Sequence, residues 1–145
     1  MSDILTLSQI KVPGRATSKD DAIREAGGLL VEAGAVRPEY VDAMFEREKS
    51  VSTYMGNYLA IPHGTNEAKD SIKSSALSVV RYDPPIDWDG NEVRFAIGIA
   101  GYEGGHLEIL GKVAVIFSDT DEVDKLIAAE SAQEIFDLLN AVNED

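Results

Sequence analysis

The pattern of bulky and small side chains predicts a central β-strand at 93–100. Val, Phe and Ile occupy the odd positions of this segment, and Arg, Ala, Gly and Ala occupy the even ones. This is the two-residue period of a strand, with one bulky face and one face small enough for a helix to lie close. Apolar alternation predicts further strands at 4–10, 58–61 and 75–82, the last of which we expect to end at the Asp-Pro-Pro of 83–85.

Helical periodicity predicts two helices in the first half of the chain, between these strands. Ser18, with Asp21 three residues later, has the spacing of a helix N-cap, and the apolar stripe that follows ends at Gly34. Pro38 suits the first turn of a second helix, whose charged end at 46–49 we expect on the surface. Gly27 and Gly28 interrupt the first helix at a cost in helix propensity, which indicates that another backbone packs closely there.

Three more helices are predicted after the central strand. The segment 107–117 is almost wholly apolar, which indicates a helix buried on more than one side. Asp119 and Ser131 each have an acidic residue three positions later, and these capping patterns begin two amphipathic helices. Alternating strands and helices predict an α/β fold, a three-layer α/β/α sandwich around a mixed sheet of about five strands.

Composition sets the size and limits the partners. The 145 residues, 44% of them hydrophobic, are enough for one domain spanning 1–145 with a substantial core. With 26 acidic and 13 basic residues, the net charge of −13 disfavours nucleic acid and anionic membranes and favours a basic protein partner. Cysteine is absent, which excludes disulfides and thiol catalysis and fits a reducing cytoplasm. No run approaches the ~20 apolar residues of a membrane span, so we expect a cytoplasmic protein without direct membrane insertion.

The sequence holds two histidines, and the first lies in a Pro-His-Gly-Thr motif. Pro62 favours extended backbone before it, so His63 would project from the end of the strand at 58–61. Gly64 would free the turn, and Thr65 can cap a helical turn at 66–70 whose N–H groups favour an anion. A structural histidine in an ordinary turn would explain this motif alone equally well.

The second histidine also follows a predicted strand end. His106 comes after the central strand and a loop at 102–105. If both loops lie at one edge of the sheet, His63 and His106 meet there, with Arg47 nearby at the border of the buried face of its helix. A neutral imidazole can attack phosphorus, and a fixed positive charge would pair with the phosphoryl group.

Other chemistries have less support in the sequence. No His-x-x-x-His pair accompanies the histidines, and the Gly-x-Ser-x-Gly motif of hydrolases is missing. The glycine motifs of nucleotide-binding and dinucleotide-binding folds are missing as well. We therefore expect neither a bound cofactor nor a metal.

Several motifs occur together in one order along the chain. MFERE at 44–48, STYMGN at 52–57, IPHGT at 61–65 and IGIA at 97–100, followed by GHL at 105–107, resemble the type-2 EIIA domains of the bacterial phosphoenolpyruvate-dependent sugar phosphotransferase system. The nearest subgroup is the mannitol-specific (mannitol/fructose) one. The resemblance covers nearly the whole chain, from about Ser18 onward.

This resemblance implies a phosphohistidine relay rather than a sugar-binding enzyme. By motif position, His63 would be the phosphorylated histidine, with His106 and Arg47 stabilising the phosphoryl group and with Thr65 and Gly64 binding it. The phosphoryl group would arrive from HPr and leave to a cysteine of the EIIB domain or protein of the mannitol permease, which serves the membrane component EIIC. Two alternatives stay open: a nitrogen-type regulatory EIIA that signals by phosphorylation-dependent partner binding, and a non-catalytic metal-binding or structural module.

Overall fold

Five strands form a mixed sheet at the centre of the fold. The computed structural model describes residues 4–102 and 105–143, apart from the side chains of Asn66, Glu67 and His106. The sheet order is β1-β4-β5-β3-β2, with parallel pairs β1/β4 and β3/β5 and antiparallel pairs β4/β5 and β2/β3. β5 is the middle strand, as the sequence predicted. The strands are β1 (Ile10–Lys11), β2 (Tyr54–Gly56), β3 (Leu59–Ala60), β4 (Ala76–Trp88) and β5 (Asn91–Ala100).

Helices cover both faces of this sheet. Two apolar clusters separate across it: one joins Phe95 and Ile97 of β5 to the last three helices, and the other joins Ala96 and Ala100 to the first two. The three-layer α/β/α sandwich is therefore confirmed. The helices are α1 (Lys19–Glu32), α2 (Tyr40–Ser50), α3 (His106–Phe117), α4 (Thr120–Ala128) and α5 (Ala132–Leu139), and 3-10 turns occupy Leu7–Gln9, Asn66–Ser71 and Asn140–Asn143.

The small face of β5 lets α1 approach the sheet closely. A Cβ placed on Gly98 would lie 2.5 Å from the Ser78 hydroxyl oxygen and 3.2 Å from the Ala26 carbonyl oxygen of α1. Ser78 in turn donates its hydroxyl to that same carbonyl at 2.7 Å. The expectation that a helix lies directly on this face is confirmed.

Local capping signals are also confirmed. The Ser18 hydroxyl accepts the Asp21 N–H at 3.2 Å, and α1 ends just before Gly34, which has a φ of 76°. Asp119 and Ser131 cap α4 and α5 in the same way through their side-chain oxygens. These ends are set by neighbours in sequence, which is why the pattern alone located them.

The predicted strand at 4–10 is wrong except at its end. Only Ile10 and Lys11 pair with β4, and a 3-10 turn precedes them. Side chains satisfy much of the backbone of this segment in place of a regular strand ladder. The Asn143 amide oxygen accepts the N–H groups of Ile4 and Leu5, and the Ile4 carbonyl accepts from the Gln9 amide and from the Leu77 N–H of β4. These partners are distant in sequence or local to the turn, and the alternation could not reveal them.

The prolines of 83–85 do not end β4. The strand continues to Trp88, with a register shift between the Arg81–Phe95 and Ile86–Val93 pairs. Residues 83–85 are exposed and lie within this irregularity, where a missing proline N–H breaks no regular ladder. A turn at 89–90 links β4 to β5.

Two expectations about burial are wrong. α3 was expected to be buried on more than one side, but it has an outer side where Leu107 is 70% exposed and Val115 is 72% exposed. The charged end of α2 is not all surface either, because Glu48 is buried among hydrogen-bond donors while Glu46 and Lys49 are exposed. None of the helices in the described ranges has the length and apolar character needed to cross a membrane.

Candidate functional site

His63 follows β3, in a segment whose backbone continues alongside β5. After Ala60 the chain stays next to the central strand, and His63 makes a single parallel bridge with Ile99. The Ile99 N–H donates to the Pro62 carbonyl at 3.0 Å, which fixes the residue immediately before the histidine. The half-buried His63 is thus presented at a strand end by a backbone that the central strand holds in place.

One ring nitrogen of His63 has a defined role. Nδ1 lies 2.8 Å from the Ile61 carbonyl oxygen. A carbonyl only accepts hydrogen bonds, so the neutral ring carries its proton on Nδ1 and keeps a lone pair on Nε2. Nε2 is therefore the nucleophilic nitrogen of this imidazole.

Tyr40 holds the other side of the histidine turn. Its hydroxyl accepts the Gly64 N–H at 2.8 Å and donates to the Ile99 carbonyl at 2.7 Å. Burial raises the pKa of the Tyr40 phenol, against the opposing effect of the Gly64 bond, so the proton needed for donation is retained. A Cβ on Gly64 would lie 2.5 Å from the Tyr40 ring, so only glycine leaves room for this contact.

Arg47 lies in the last turn of α2 and is half-buried, as predicted for the border of the buried face. Its guanidinium Nη1 donates to the Val51 carbonyl at 2.7 Å, across the end of the helix. Among the described residues, no hydrogen bond joins the Arg47 guanidinium to His63. Its positive charge is therefore anchored at the helix end beside the chain that leads to β2.

His106 is the first residue of α3, and its backbone lies six positions after the end of β5. Its side chain, and residues 103–104 of the loop before it, lie outside the described residues. β3 and β5 are parallel neighbours, so the two histidine backbones follow strand ends at the same edge of the sheet. The approach of the two imidazole rings stays a prediction.

Thr65 precedes the helical turn expected at 66–70, which forms as the 3-10 turn Asn66–Ser71. The backbone of Thr65 starts this turn, and its carbonyl accepts the Ala68 N–H at 3.1 Å, but its side chain makes no capping bond. The expected side-chain cap is therefore wrong. The Gly64 N–H is already bonded to Tyr40, so a phosphoryl group would reach it only by replacing that bond.

Residues 3–142 match the family model of the phosphoenolpyruvate-dependent sugar phosphotransferase system, EIIA 2. The chain belongs to this family. It is 56% identical over 141 residues to the mannitol-specific phosphotransferase enzyme IIA component of Halalkalibacterium halodurans, covering 97% of each chain. The resemblance read from the sequence motifs is confirmed.

Solved structures agree with this EIIA assignment. The complex of enzyme IIAMTL and phosphorylated enzyme IIBMTL from Escherichia coli contains a chain that matches with a TM-score of 0.89 and 33% identity, covering 94% of this chain and 97% of that one. Nitrogen regulatory protein IIA-Ntr from Neisseria meningitidis matches with a TM-score of 0.78 and 31% identity, covering 94% and 96%. The similarity extends over nearly the whole EIIA chain in both cases.

Two buried residues of this EIIA were missed by sequence reasoning: Tyr40 and Glu48. With Met44 they form a stripe at four-residue spacing on α2, and all three are buried. That spacing was visible in the sequence as a helix face. What the spacing could not show is that Tyr40 meets the turn that carries His63 while Glu48 meets Thr53 and Trp88.

Proposed function

We propose that this EIIA chain, as a single domain over 1–145, is the phosphocarrier of mannitol uptake. It takes a phosphoryl group from phospho-HPr on His63 and passes it to the cysteine of a mannitol EIIB, which serves the membrane component EIIC. The observation that carries the proposal is the hydrogen bond from His63 Nδ1 to the Ile61 carbonyl, because it leaves Nε2 as a nucleophile at a strand end.

Each transfer forms one bond to phosphorus and breaks another. Nε2 of His63 attacks the phosphorus of the HPr phosphohistidine, and the P–N bond to the donor breaks as the donor imidazole leaves with its electron pair. The proton stays on Nδ1 throughout, where it is donated in a hydrogen bond to the Ile61 carbonyl. In the second transfer the EIIB thiolate attacks phosphorus, the P–Nε2 bond breaks, and the lone pair returns to Nε2.

The companion residues have supporting roles in the proposal. Arg47 and His106 stabilise the charge of the transferring group, and the hydroxyl of Thr65 donates a hydrogen bond to it. The half-buried position of Arg47 at the end of α2 supports its role, because a charge partly withdrawn from water interacts more strongly with an anion. Gly64 contributes chiefly by leaving space for Tyr40.

The surface of the chain suits transient protein partners. The net charge of −13 would attract a basic donor such as HPr and speed its encounter. Leu107 and Val115 of α3 are exposed apolar side chains, and the proposal includes them in the surface where a partner docks. The proposal places the protein in the cytoplasm, which agrees with a sequence free of cysteine.

Mannitol is favoured over the nitrogen-regulatory alternative by the relatives. The Halalkalibacterium halodurans protein, 56% identical, is a mannitol-specific enzyme IIA component. The Neisseria meningitidis nitrogen regulatory protein matches with a lower TM-score than the mannitol protein of Escherichia coli. The E. coli mannitol protein forms a complex with phosphorylated EIIB, which supports an EIIB as the acceptor here.

Labelling with radioactive phosphoenolpyruvate, enzyme I and HPr tests the proposal. We expect an acid-labile, base-stable label on wild type, its transfer to mannitol EIIB, and no label on His63→Gln. A label that survives this substitution unchanged would contradict the role of His63. A labelled chain that passes nothing to mannitol EIIB would instead support the nitrogen-type regulatory alternative.

His106 has a separate test. We expect His106→Gln to stay folded, because His106 is the first residue of α3 and the helix core lies beyond it. Phosphoryl transfer should slow by about tenfold or more, since a charge-stabilising group is lost. Stopped-flow or rapid-quench transfer rates, with circular dichroism as the folding control, measure this; an unchanged rate would remove His106 from the site.

A further inference from the structure

Glu48 is a buried carboxyl group one residue beyond Arg47 in α2. It is 7% exposed, and its oxygens accept three donors. These are the Thr53 N–H at 3.1 Å, the Thr53 hydroxyl at 2.5 Å and the Trp88 indole N–H at 3.1 Å. Both donor residues are themselves buried, at 4% and 0% exposure. An acid at this depth is stable only with such partners, so its contacts are specific rather than incidental.

Thr53 connects this carboxyl group to His63. Its carbonyl accepts the Ile61 N–H at 3.0 Å. The carbonyl of the same Ile61 accepts the proton of His63 Nδ1 at 2.8 Å. Glu48 therefore holds Thr53 in place, and Thr53 holds Ile61. The Ile61 carbonyl in turn selects the tautomer of His63.

The Glu48 carboxyl group also acts indirectly on the position of Arg47. Thr53 lies two residues after Val51, and the Val51 carbonyl is the acceptor for the Arg47 guanidinium at 2.7 Å. Thr53 binds Glu48 through both its N–H and its hydroxyl, so the segment 51–53 is fixed against the end of α2. Loss of these bonds would release the acceptor of Arg47 and the support of Ile61 together.

We propose that Glu48 is a positioning residue of this EIIA, which sets the tautomer and ring orientation of His63 through Thr53 and Ile61 and anchors Arg47 through the segment 51–53. Glu48 itself touches no phosphoryl group. The consequence for phosphoryl transfer rests on the proposed function, whereas the consequence for the His63 tautomer does not.

Glu48→Gln and Glu25→Gln make a matched pair for the test. Glu25 of α1 has a side chain 10% exposed and accepts from Lys11, from the Arg15 N–H and from the Tyr82 hydroxyl, in a network separate from the His63 turn. In each variant one acceptor oxygen becomes an amide donor that faces other donors, so a hydrogen bond is lost. Both variants should lose stability, but only Glu48→Gln should alter His63.

The direct readout is 15N NMR of the His63 imidazole in the unphosphorylated protein. We expect the Nδ1–H tautomer in wild type and Glu25→Gln, and a mixture of tautomers in Glu48→Gln. In transfer assays with phospho-HPr, kcat of Glu48→Gln should fall about 10- to 100-fold while KM is unchanged, because positioning is lost rather than docking. A wild-type tautomer and rate in folded Glu48→Gln, or the same changes in Glu25→Gln, would overturn the proposal.

Thr53→Val keeps the test decisive if Glu48→Gln fails to fold. It removes only the hydroxyl donor and leaves the backbone bonds of residue 53 in place. A smaller shift of the His63 tautomer in the same direction supports the proposal, and an unshifted tautomer contradicts it. Failure of wild type to be labelled at His63 would refute the proposed function alone, since the tautomer comparison needs no phosphoryl transfer.

Discussion

The hydroxyl of Tyr40 satisfies two backbone groups of the histidine turn at once. It accepts from Gly64 and donates to Ile99, on the strand that pairs with His63. Both backbone groups would be left without this partner if the hydroxyl were removed. Leaving a buried polar group without a hydrogen bond costs more free energy than the hydrogen bond contributed. The Tyr40 hydroxyl should therefore contribute strongly to the stability of the fold.

Tyr40→Phe should lower the free energy of unfolding by about 1–3 kcal/mol and slow phosphorylation of His63. Urea denaturation and transfer rates measure the two effects. Tyr82→Phe is the control, because it also removes a buried hydroxyl, one that donates to Glu25 far along the sheet from His63. Equal rates in the two variants would show that Tyr40 has no influence on the site.

Tyr82 gives the protein a pH dependence at the alkaline end. Burial raises the pKa of its phenol far above the ordinary value, and the Glu25 carboxylate adds to this. The unfolded chain ionises this tyrosine near pH ~10 while the folded chain keeps it protonated, so its contribution is complete below that pH and is lost above it. Urea midpoints should therefore fall more from about pH 8 to about pH 11, a window that spans the ordinary tyrosine pKa of ~10, for wild type than for Tyr82→Phe. Parallel falls would contradict this.

The sequence pointed to the residues proposed to carry the chemistry, but not to all the residues that hold them in place. His63 and Arg47 stood out because their residue types and neighbours are chemically distinctive. Tyr40 and Glu48 did not, because their importance depends on the segments that α2 packs against, the histidine turn for Tyr40 and the residues around Thr53 for Glu48. That packing is a long-range contact, and only the structure shows it.

Among the elements, α1 carries two adjacent glycines with different surroundings. A Cβ on Gly27 would lie 2.9 Å from the Met44 sulfur and 3.0 Å from a Val41 methyl group of α2, whereas Gly28 has nothing within 4 Å. Gly27 therefore permits close packing of α1 on α2. The sequence suggested such packing, although the neighbour is a pair of side chains rather than a backbone.

Gly28→Ala should raise the free energy of unfolding by about 0.5–1 kcal/mol, because alanine favours helix and meets no obstacle. Gly27→Ala should instead lower it by about 1 kcal/mol, because the new methyl group overpacks the contact with α2. Thermal or urea unfolding of the two variants measures the difference. Equal stabilities would mean that the two helices separate at little cost.

Element ends and faces were predictable to different degrees. Helix starts at Ser18, Asp119 and Ser131 follow local capping, and the sequence located them. The 4–10 segment and the outer face of α3 were mispredicted, because distant side chains satisfy the first and the second is apolar yet exposed. Apolar character shows that a face can be buried, but not what covers it.

At the scale of the whole molecule, the net charge of −13 should guide encounter with the proposed basic donor. Electrostatic attraction to a basic donor acts at long range and is screened by salt. It should therefore influence the rate of association more than the rate of the phosphoryl-transfer step. The order of the sheet places the backbones of the two histidine-bearing segments after strand ends at the same edge.

Salt should therefore slow phosphorylation by HPr. We expect kcat/KM to fall about tenfold between about 0.05 M and 0.5 M salt, mostly through KM, since screening weakens encounter and leaves the phosphohistidine chemistry intact. Steady-state transfer at several ionic strengths measures this, with urea stability at each as the control. A kcat/KM independent of salt would show that charge does not guide docking.

The most direct test of the central claim identifies the nitrogen that bears the phosphoryl group. The protein, labelled with 15N in its histidines, would be phosphorylated through enzyme I and HPr and examined by 31P and 15N NMR. We expect phosphorus on Nε2 of His63, with Nδ1 still protonated beside the Ile61 carbonyl. Phosphorus on Nδ1 of His63, or on His106 instead, would contradict it.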